Sequence, residues 1–379
     1  MDRRLILVVS AIVFVETSFY AVVAPLLPHY ADDLHLSQAS AGILLAAYPA
    51  GTLAGALPSG LLAARIGPRQ TVLTGLALVA VASVTFAFAH PAPLLDAARF
   101  AQGIGGACIW SGGLAWLVAA APPERRGETI GTALGAAIGG SLFGPVLGAI
   151  ASALGTTPVF TGVGVLAAVL AGAVLTLPAP AAAPDGGASV ATTVRAGRVR
   201  AGMWLVALPG LGFGALDTLV PLQLDDLGAG NAAVAAAFLV AAAGEAAISP
   251  LVGRVSDRAG RLAPIRFGLA AAAVVVLFVP AADSVLVTAA LLVLATAALG
   301  TFWAPAMALL SDAAEAVGAH QGLAFGLVNL AWAVGMVIGA AGGGVVADAA
   351  ADVVPFAIVS ALCAGTLAAV LRRRAPVPA

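Results

Sequence analysis

Long apolar stretches, separated by short polar punctuation, follow one another along the whole chain. A helix crossing the hydrocarbon core of a bilayer takes about 20 mostly apolar residues. Stretches of that length fall near residues 5–28, 41–63, 70–89, 93–117, 129–153, 158–177, 201–224, 231–252, 263–281, 284–307, 321–346 and 353–371, twelve in all. They are rich in Ala, Leu and Gly and do not alternate apolar with polar, which argues against a membrane β-barrel. In hydrocarbon each segment must satisfy its own backbone groups, so each stretch is predicted to be a helix. The expected fold class is an all-α membrane protein with twelve transmembrane helices. The first stretch is longer than the apolar core of a signal peptide and contains Glu16, so it is expected to stay as a span.

The polar punctuation is asymmetric. Arg3, Arg4, Arg65, Arg69, Arg125, Arg126, Arg195, Arg198 and Arg200 fall on one side of the predicted membrane. So do Arg254, Arg258, Arg261, Arg266, Arg372, Arg373 and Arg374, which makes sixteen of the 17 basic residues. The positive-inside rule makes that side cytoplasmic, with both termini on it. The remaining cation, Arg99, lies inside the fourth stretch. One linker stands out, rich in Pro, Ala and Gly and then basic. It divides the chain into residues 1–177, with six predicted helices, a cytoplasmic linker 178–200, and residues 201–379, with six more.

The halves repeat one another at a constant offset of 193 positions. Pro28 matches Pro221, Asp32-Asp33-Leu34 matches Asp225-Asp226-Leu227, and Gly51 matches Gly244. Gly60, Arg65 and Gly67 match Gly253, Arg258 and Gly260. Parallel six-helix repeats are one architecture of secondary transporters, with the substrate site between the halves near the midplane.

Gly253-Arg-Val-Ser-Asp257-Arg258-Ala-Gly260-Arg261 resembles the signature loop of the major facilitator superfamily. The first-half copy, Gly60-Leu-Leu-Ala-Ala64-Arg65-Ile-Gly67-Pro68-Arg69, has Ala64 where the family has Asp. Arg99-Phe-Ala-Gln102-Gly103-Ile-Gly105 resembles the fourth-helix motif, whose arginine is implicated in proton coupling. Gly140-Ser-Leu-Phe-Gly144-Pro145-Val-Leu-Gly148 resembles the fifth-helix motif of antiporters, with Ala149 in place of its final Gly. Pro305 through Asp312 to Gly322, followed by Asn329-Leu-Ala-Trp332, is similar to bacterial drug exporters related to vesicular amine transporters. The resemblance implies two six-helix bundles, alternating access, and a drug:proton antiporter-like activity.

Composition narrows the chemistry. The chain is 61% hydrophobic and 9% charged, against about 25% charged in a soluble protein. A net charge of −1 offers no basic stripe to nucleic acid. Without lysine there is no Gly-x-x-x-x-Gly-Lys phosphate loop, so ATP-driven pumping by this chain is not expected. Cys108 and Cys363 read as small buried hydrophobes. His29, His35, His90 and His320 lack ligand spacing, so neither a metal nor another cofactor is expected.

Charges placed within a span are functional candidates by default. Glu16 falls about 17 Å into the first helix by a rise of 1.5 Å per residue, near the midplane, where it could bind and release a proton. A permanent pair with Arg99 is the structural alternative. Asp217, four residues before Pro221, could attract a cation, carry a proton, or let the two compete. Glu245 stands at the repeat position of Thr52 and suits helix packing as well as transport. Arg99 shares a face with Gln102, Gly103 and Gly106. A fixed cation near a carboxyl changes how firmly that carboxyl holds its proton. Tyr20, Tyr48, Trp110, Trp303, Asn329 and Trp332 are candidate cavity-lining groups. Gly135, Gly139, Gly140, Gly144 and Gly148, with Pro145, form a small-residue seam suited to a rocking contact or to plain tight packing. Gly60, Arg65, Gly67, Gly253, Asp257, Arg258, Gly260 and Arg261 are expected to form a cytoplasmic gating latch, with Gly253 and Gly260 allowing the turn.

The expected function is proton-coupled efflux of small amphipathic or cationic compounds from a monomer in the cell membrane. Its partners would be the substrate, protons and the lipid bilayer, and not nucleic acid. An importer or uniporter of a small metabolite is the alternative on the same scaffold. A membrane enzyme would need a nucleophile with a base, or a metal cluster, and the spans show neither pattern.

Overall fold

The computed structural model describes residues 3–121, 126–178, 190–319 and 321–372. Arg125, His320, Arg373, Arg374 and residues 179–189 of the linker lie outside the described residues. The first span is two helices, α1 (Arg3–Ala21) and α2 (Val23–Leu34). Then come α3 (Gln38–Ile66), α4 (Pro68–Phe88), α5 (Ala92–Ala120), α6 (Arg126–Leu154) and α7 (Thr156–Leu175). A short α8 (Val190–Arg195) leads to α9 (Gly197–Asp226), α10 (Asn231–Ala259) and α11 (Leu262–Val275), which tightens to a 3₁₀ helix through Ala281. The chain continues with α12 (Val285–Glu315), α13 (Gln321–Val337), a π-helical segment (Ile338–Gly342), α14 (Gly343–Ala349) and α15 (Val353–Arg372). Joined in this way, they give 12 helical stretches among the described residues that are long and apolar enough to cross a membrane.

Prolines explain the interruptions. Pro25 has no N–H to offer the carbonyl four residues earlier, that of Ala21, and the helix breaks at Val22 between them. Pro280 stands in the 3₁₀ segment for the same reason. The helices also run further than the apolar stretches that announced them. The tenth continues to Glu315 and the eighth to Ala259, because a helix does not need hydrocarbon once its ends reach water.

Two hydrophobic clusters hold the spans. One gathers Ile12, Phe19, Leu44, Trp116 and Phe160 from α1 to α7, and the other gathers Leu208, Leu299, Phe302 and Phe356 from α9 to α15. The outer faces stay apolar: Leu286 is 80% exposed, and Leu7 and Phe267 are each 69% exposed. Water would not tolerate that surface, whereas lipid does.

Between helices, close approach depends on small residues. A Cβ on Gly335 would collide with the carbonyl oxygen of Ala207, so α13 and α9 touch backbone to backbone. Gly335→Val is therefore expected to cost about 1–3 kcal/mol or more through overpacking. Gly326→Val, where nothing lies within 4 Å on the same helix, is expected to cost little. Thermal unfolding of the two variants in detergent checks the difference.

The signature segments are less loop than expected. Gly60 and Arg65 lie within α3, and Gly253 and Arg258 within α10. The breaks fall at Gly67 (φ 90°) and Gly260 (φ 80°), a left-handed region that favours glycine. Gly253 thus takes no part in the turn, a correction to the sequence reading, because its backbone is already committed to α10. Arg261 pairs with Asp312 of α12 at 2.5 Å. Arg65 and Arg258 are exposed, and the side chain of Asp257 lies outside the described residues.

Candidate functional site

Glu16 of α1 is 1% exposed in the middle of the protein. The Tyr48 hydroxyl of α3 donates to its Oε1, and the Trp110 indole N–H of α5 donates to Oε2 at 3.3 Å. Gly106 of α5 makes this possible, since a Cβ there would stand 2.6 Å from Glu16 Oε1 and 2.8 Å from the Tyr48 oxygen. Three helices therefore converge on one carboxyl.

Arg99 does not pair directly with that carboxyl. Its Nη1 donates to Gln102 Oε1 at 2.6 Å, one helical turn on. Longer, weaker bonds of 3.4 and 3.5 Å reach the carbonyls of Phe19 and Tyr20, just ahead of the break in the first span. The guanidinium also lies 5.1 Å from the centroid of the Tyr48 ring. Tyr48 thus joins the two charges, touching the carboxylate with its oxygen and the cation with its face.

The cluster extends across the molecule. Tyr20 packs 4.7 Å from Tyr48 and 5.7 Å, edge-on, from Trp332 of α13. The Tyr20 hydroxyl is within electrostatic reach of Asp217 on α9. Asp217 in turn lies within electrostatic reach of Glu245 on α10. Glu245 also sits against a glycine: a Cβ on Gly300 of α12 would be 2.7 Å from its Oε1. Each half of the chain therefore seats a membrane carboxyl against a bare stretch of helix backbone.

Not every candidate joins in. Trp303 is half-buried and packs on the second-half cluster, and Asn329 is half-buried without a hydrogen bond among the described residues. Gly135 of α6 has nothing within 4 Å, and the α6 glycines that do meet a neighbour contact the first span. Gly140 meets the Phe14 carbonyl, Gly144 meets Ala21, and Gly148 meets Pro25. Among the described residues, no group of three or more His, Cys, Asp or Glu side chains could hold a metal.

The halves are sealed at the end opposite the termini. The carboxylate of Asp348, at the end of α14, accepts from the N–H groups of Gln38 (3.1 Å) and Ala39 (2.9 Å). These are the first residues of α3, whose leading N–H groups have no partner within their own helix. The Gln38 side chain donates to Asp352 at 3.0 Å. Sequence reading missed this seal, because its partners lie more than 300 residues apart with no shared motif.

Known proteins match both sequence and fold. The model of the Major Facilitator Superfamily matches residues 9–318 and 202–379. The MFS-type transporter ppzB of Metarhizium majus is 30% identical over 125 residues, 31% of this chain and 27% of that protein. Its namesake in Metarhizium rileyi is 31% identical over 128 residues, 31% of this chain and 26% of that protein. The matched stretch therefore spans about a quarter of these relatives. In fold, the chain resembles a bacterial homolog of the human lysosomal transporter Spinster, crystallised inward-facing and unoccupied. The TM-score is 0.78 at 15% identity, over 98% of this chain and 96% of that one.

Proposed function

The chain belongs to the Major Facilitator Superfamily, and we propose that it exports small amphipathic or cationic organic compounds in exchange for protons, by alternating access between its two six-helix halves. The family is one of transporters, which sets the enzyme reading aside. The observation that carries the proposal is the Glu16 carboxyl, held by Tyr48 and Trp110 beside Arg99.

That arrangement suits two protonation states. As a carboxylate, Glu16 accepts from both neighbours. As an acid, it needs an acceptor for its own O–H, and a tyrosine hydroxyl can turn from donor to acceptor whereas an indole N–H cannot. The proton therefore belongs on Oε1, facing Tyr48. Asp217 and Glu245 would bring negative charge from the second half, and Tyr20, Tyr48 and Trp332 aromatic faces, to a cation. A substrate cation would compete with protons for those carboxyls.

In the proposed orientation the arginine-rich face and both termini are cytoplasmic, so the sealed end is extracellular. Gly67 and Gly260 lie at the cytoplasmic face, where a gate between the halves would close as the outer seal at Asp348 breaks; the Arg261–Asp312 pair lies within the second half and is already made. The working unit is a monomer in the cell membrane.

The test is transport in proteoliposomes under an imposed pH gradient, with a panel of lipophilic cations and neutral drugs. Substrate movement coupled to opposing proton movement is expected. Movement indifferent to the gradient would indicate a uniporter and return the acids to structural roles. Asp217→Asn is expected to weaken a lipophilic cation by about tenfold, equivalent to ~1.4 kcal/mol, and a neutral drug hardly at all. Equal effects on both classes would remove Asp217 from cation recognition.

A further inference from the structure

A cavity of about 1190 Å³ opens among the ends of α9, α11, α12 and α15, away from the cluster around Glu16. The helix ends concerned are those on the terminus-bearing face, because α9 and α11 start there and α12 and α15 finish there. Its walls combine two chemistries.

The first is cationic. Arg198 and Arg200, at the start of α9, and Arg266 of α11 line it. The one carboxylate in the lining, Asp312, is already paired with Arg261. Arg266 Nε is buried and has no hydrogen-bond partner among the described residues, which leaves a donor unsatisfied there. The repeat does not require these charges: 193 positions earlier stand Leu5, Leu7 and Leu73.

The second is apolar and grooved. Ala361, Gly365 and Ala369 follow one another at four-residue spacing along the exposed face of α15. Nothing lies within 4 Å of where a Cβ on Gly365 would be, so the groove is open along its floor. Trp204 borders it, 43% exposed, with its indole N–H donating to Thr366 at 2.9 Å. A tryptophan so placed suits the headgroup level of a bilayer.

We propose that this cavity binds an anionic glycerophospholipid from the leaflet on the terminus-bearing side. Its phosphate meets Arg198, Arg200 and Arg266, and an acyl chain runs along the α15 groove beside Trp204. Arginine is suited to the headgroup because its planar donors match phosphate oxygens. The groove selects a lipid over a soluble phosphate, because apolar walls would contribute nothing to an inorganic ion. This site is independent of how the transporter is coupled and needs only the spanning fold.

The experiment is native mass spectrometry of the full chain, released from membranes with equal phosphatidylglycerol and phosphatidylcholine. The wild type is expected to retain phosphatidylglycerol preferentially. Replacing Arg198, Arg200 and Arg266 together by Gln should reduce that retention about tenfold or more and leave phosphatidylcholine unchanged. Gly365→Phe, which fills the groove without touching charge, should reduce retention of both lipids. Arg266→Gln alone keeps the test decisive should the triple variant fold poorly. Unchanged phosphatidylglycerol retention in Arg266→Gln and Gly365→Phe overturns the proposal. So does binding of inorganic phosphate to the wild type with no lipid retained.

Discussion

Glu16→Gln is expected to abolish proton-driven transport, by about tenfold or more, equivalent to at least ~1.4 kcal/mol of lost coupling, while the protein folds and still exchanges substrate. The reason lies in what glutamine can satisfy. Its amide oxygen can accept from the Trp110 indole, and its NH₂ can donate to Tyr48 once that hydroxyl turns to accept. Both neighbours keep a partner, but no proton can be taken up or released. Glu16→Leu differs in kind, because it leaves the Tyr48 hydroxyl and the Trp110 N–H unpaired in a buried site. Each unpaired group costs about 1–3 kcal/mol, so Leu is expected to destabilise where Gln does not. Paired measurements of pH-driven uptake and substrate counterflow in proteoliposomes separate coupling from translocation. If the Gln variant still drives uphill transport from a pH gradient, Glu16 is a packing group, and Asp217 or Glu245 becomes the next candidate.

The fold was legible because lipid imposes strong rules. Twelve apolar stretches could only be helices, and the helical stretches lie where the hydropathy put them. Their ends were less legible, since nothing apolar marks the last turns of α10 and α12 after they leave the hydrocarbon. The turn in the second signature segment was misplaced for a similar reason. Both Gly253 and Gly260 look like turn glycines, and only the backbone shows that Gly260 alone takes a positive φ.

The site was legible in its charges but not in their pairing. Glu16 and Arg99 stood out because ionisable groups in spans are rare. A permanent ion pair was the structural alternative for Glu16, and the structure instead puts Tyr48 between the two, touching one with its hydroxyl and the other with its ring face. No spacing rule links positions 16, 48 and 99, which come from three different helices. Gly106 was visible as part of a narrow stripe on the Arg99 face, but its neighbour across the gap was not. Gly300, which seats Glu245, had no signal beyond being one glycine among 45.

Gly106→Ala should therefore strike the same function as Glu16→Gln by a different route. The added methyl would stand 2.6 Å from Glu16 Oε1 and 2.8 Å from the Tyr48 oxygen, so one of them must move. Tyr48 has little room, with Tyr20 at 4.7 Å on one side and Arg99 at 5.1 Å on another. The carboxyl is expected to yield, and its bond with the Tyr48 hydroxyl breaks with it. Two turns along the same helix, Gly113 offers a control: its nearest obstacle is a methyl of Val9, at 3.2 Å, the end of a side chain. Both substitutions gain the helix preference of alanine over glycine, ~1 kcal/mol, so stability alone should not separate them. Coupled transport should fall about tenfold in Gly106→Ala and stay near wild type in Gly113→Ala. The double variant Gly106→Ala/Glu16→Gln should be no worse than Glu16→Gln alone, because residues acting through one contact are not additive. Additive losses would place Gly106 in a separate role, as a packing contact between α5 and its neighbours. Wild-type coupling in Gly106→Ala would show that the carboxyl–tyrosine contact can loosen without affecting the proton.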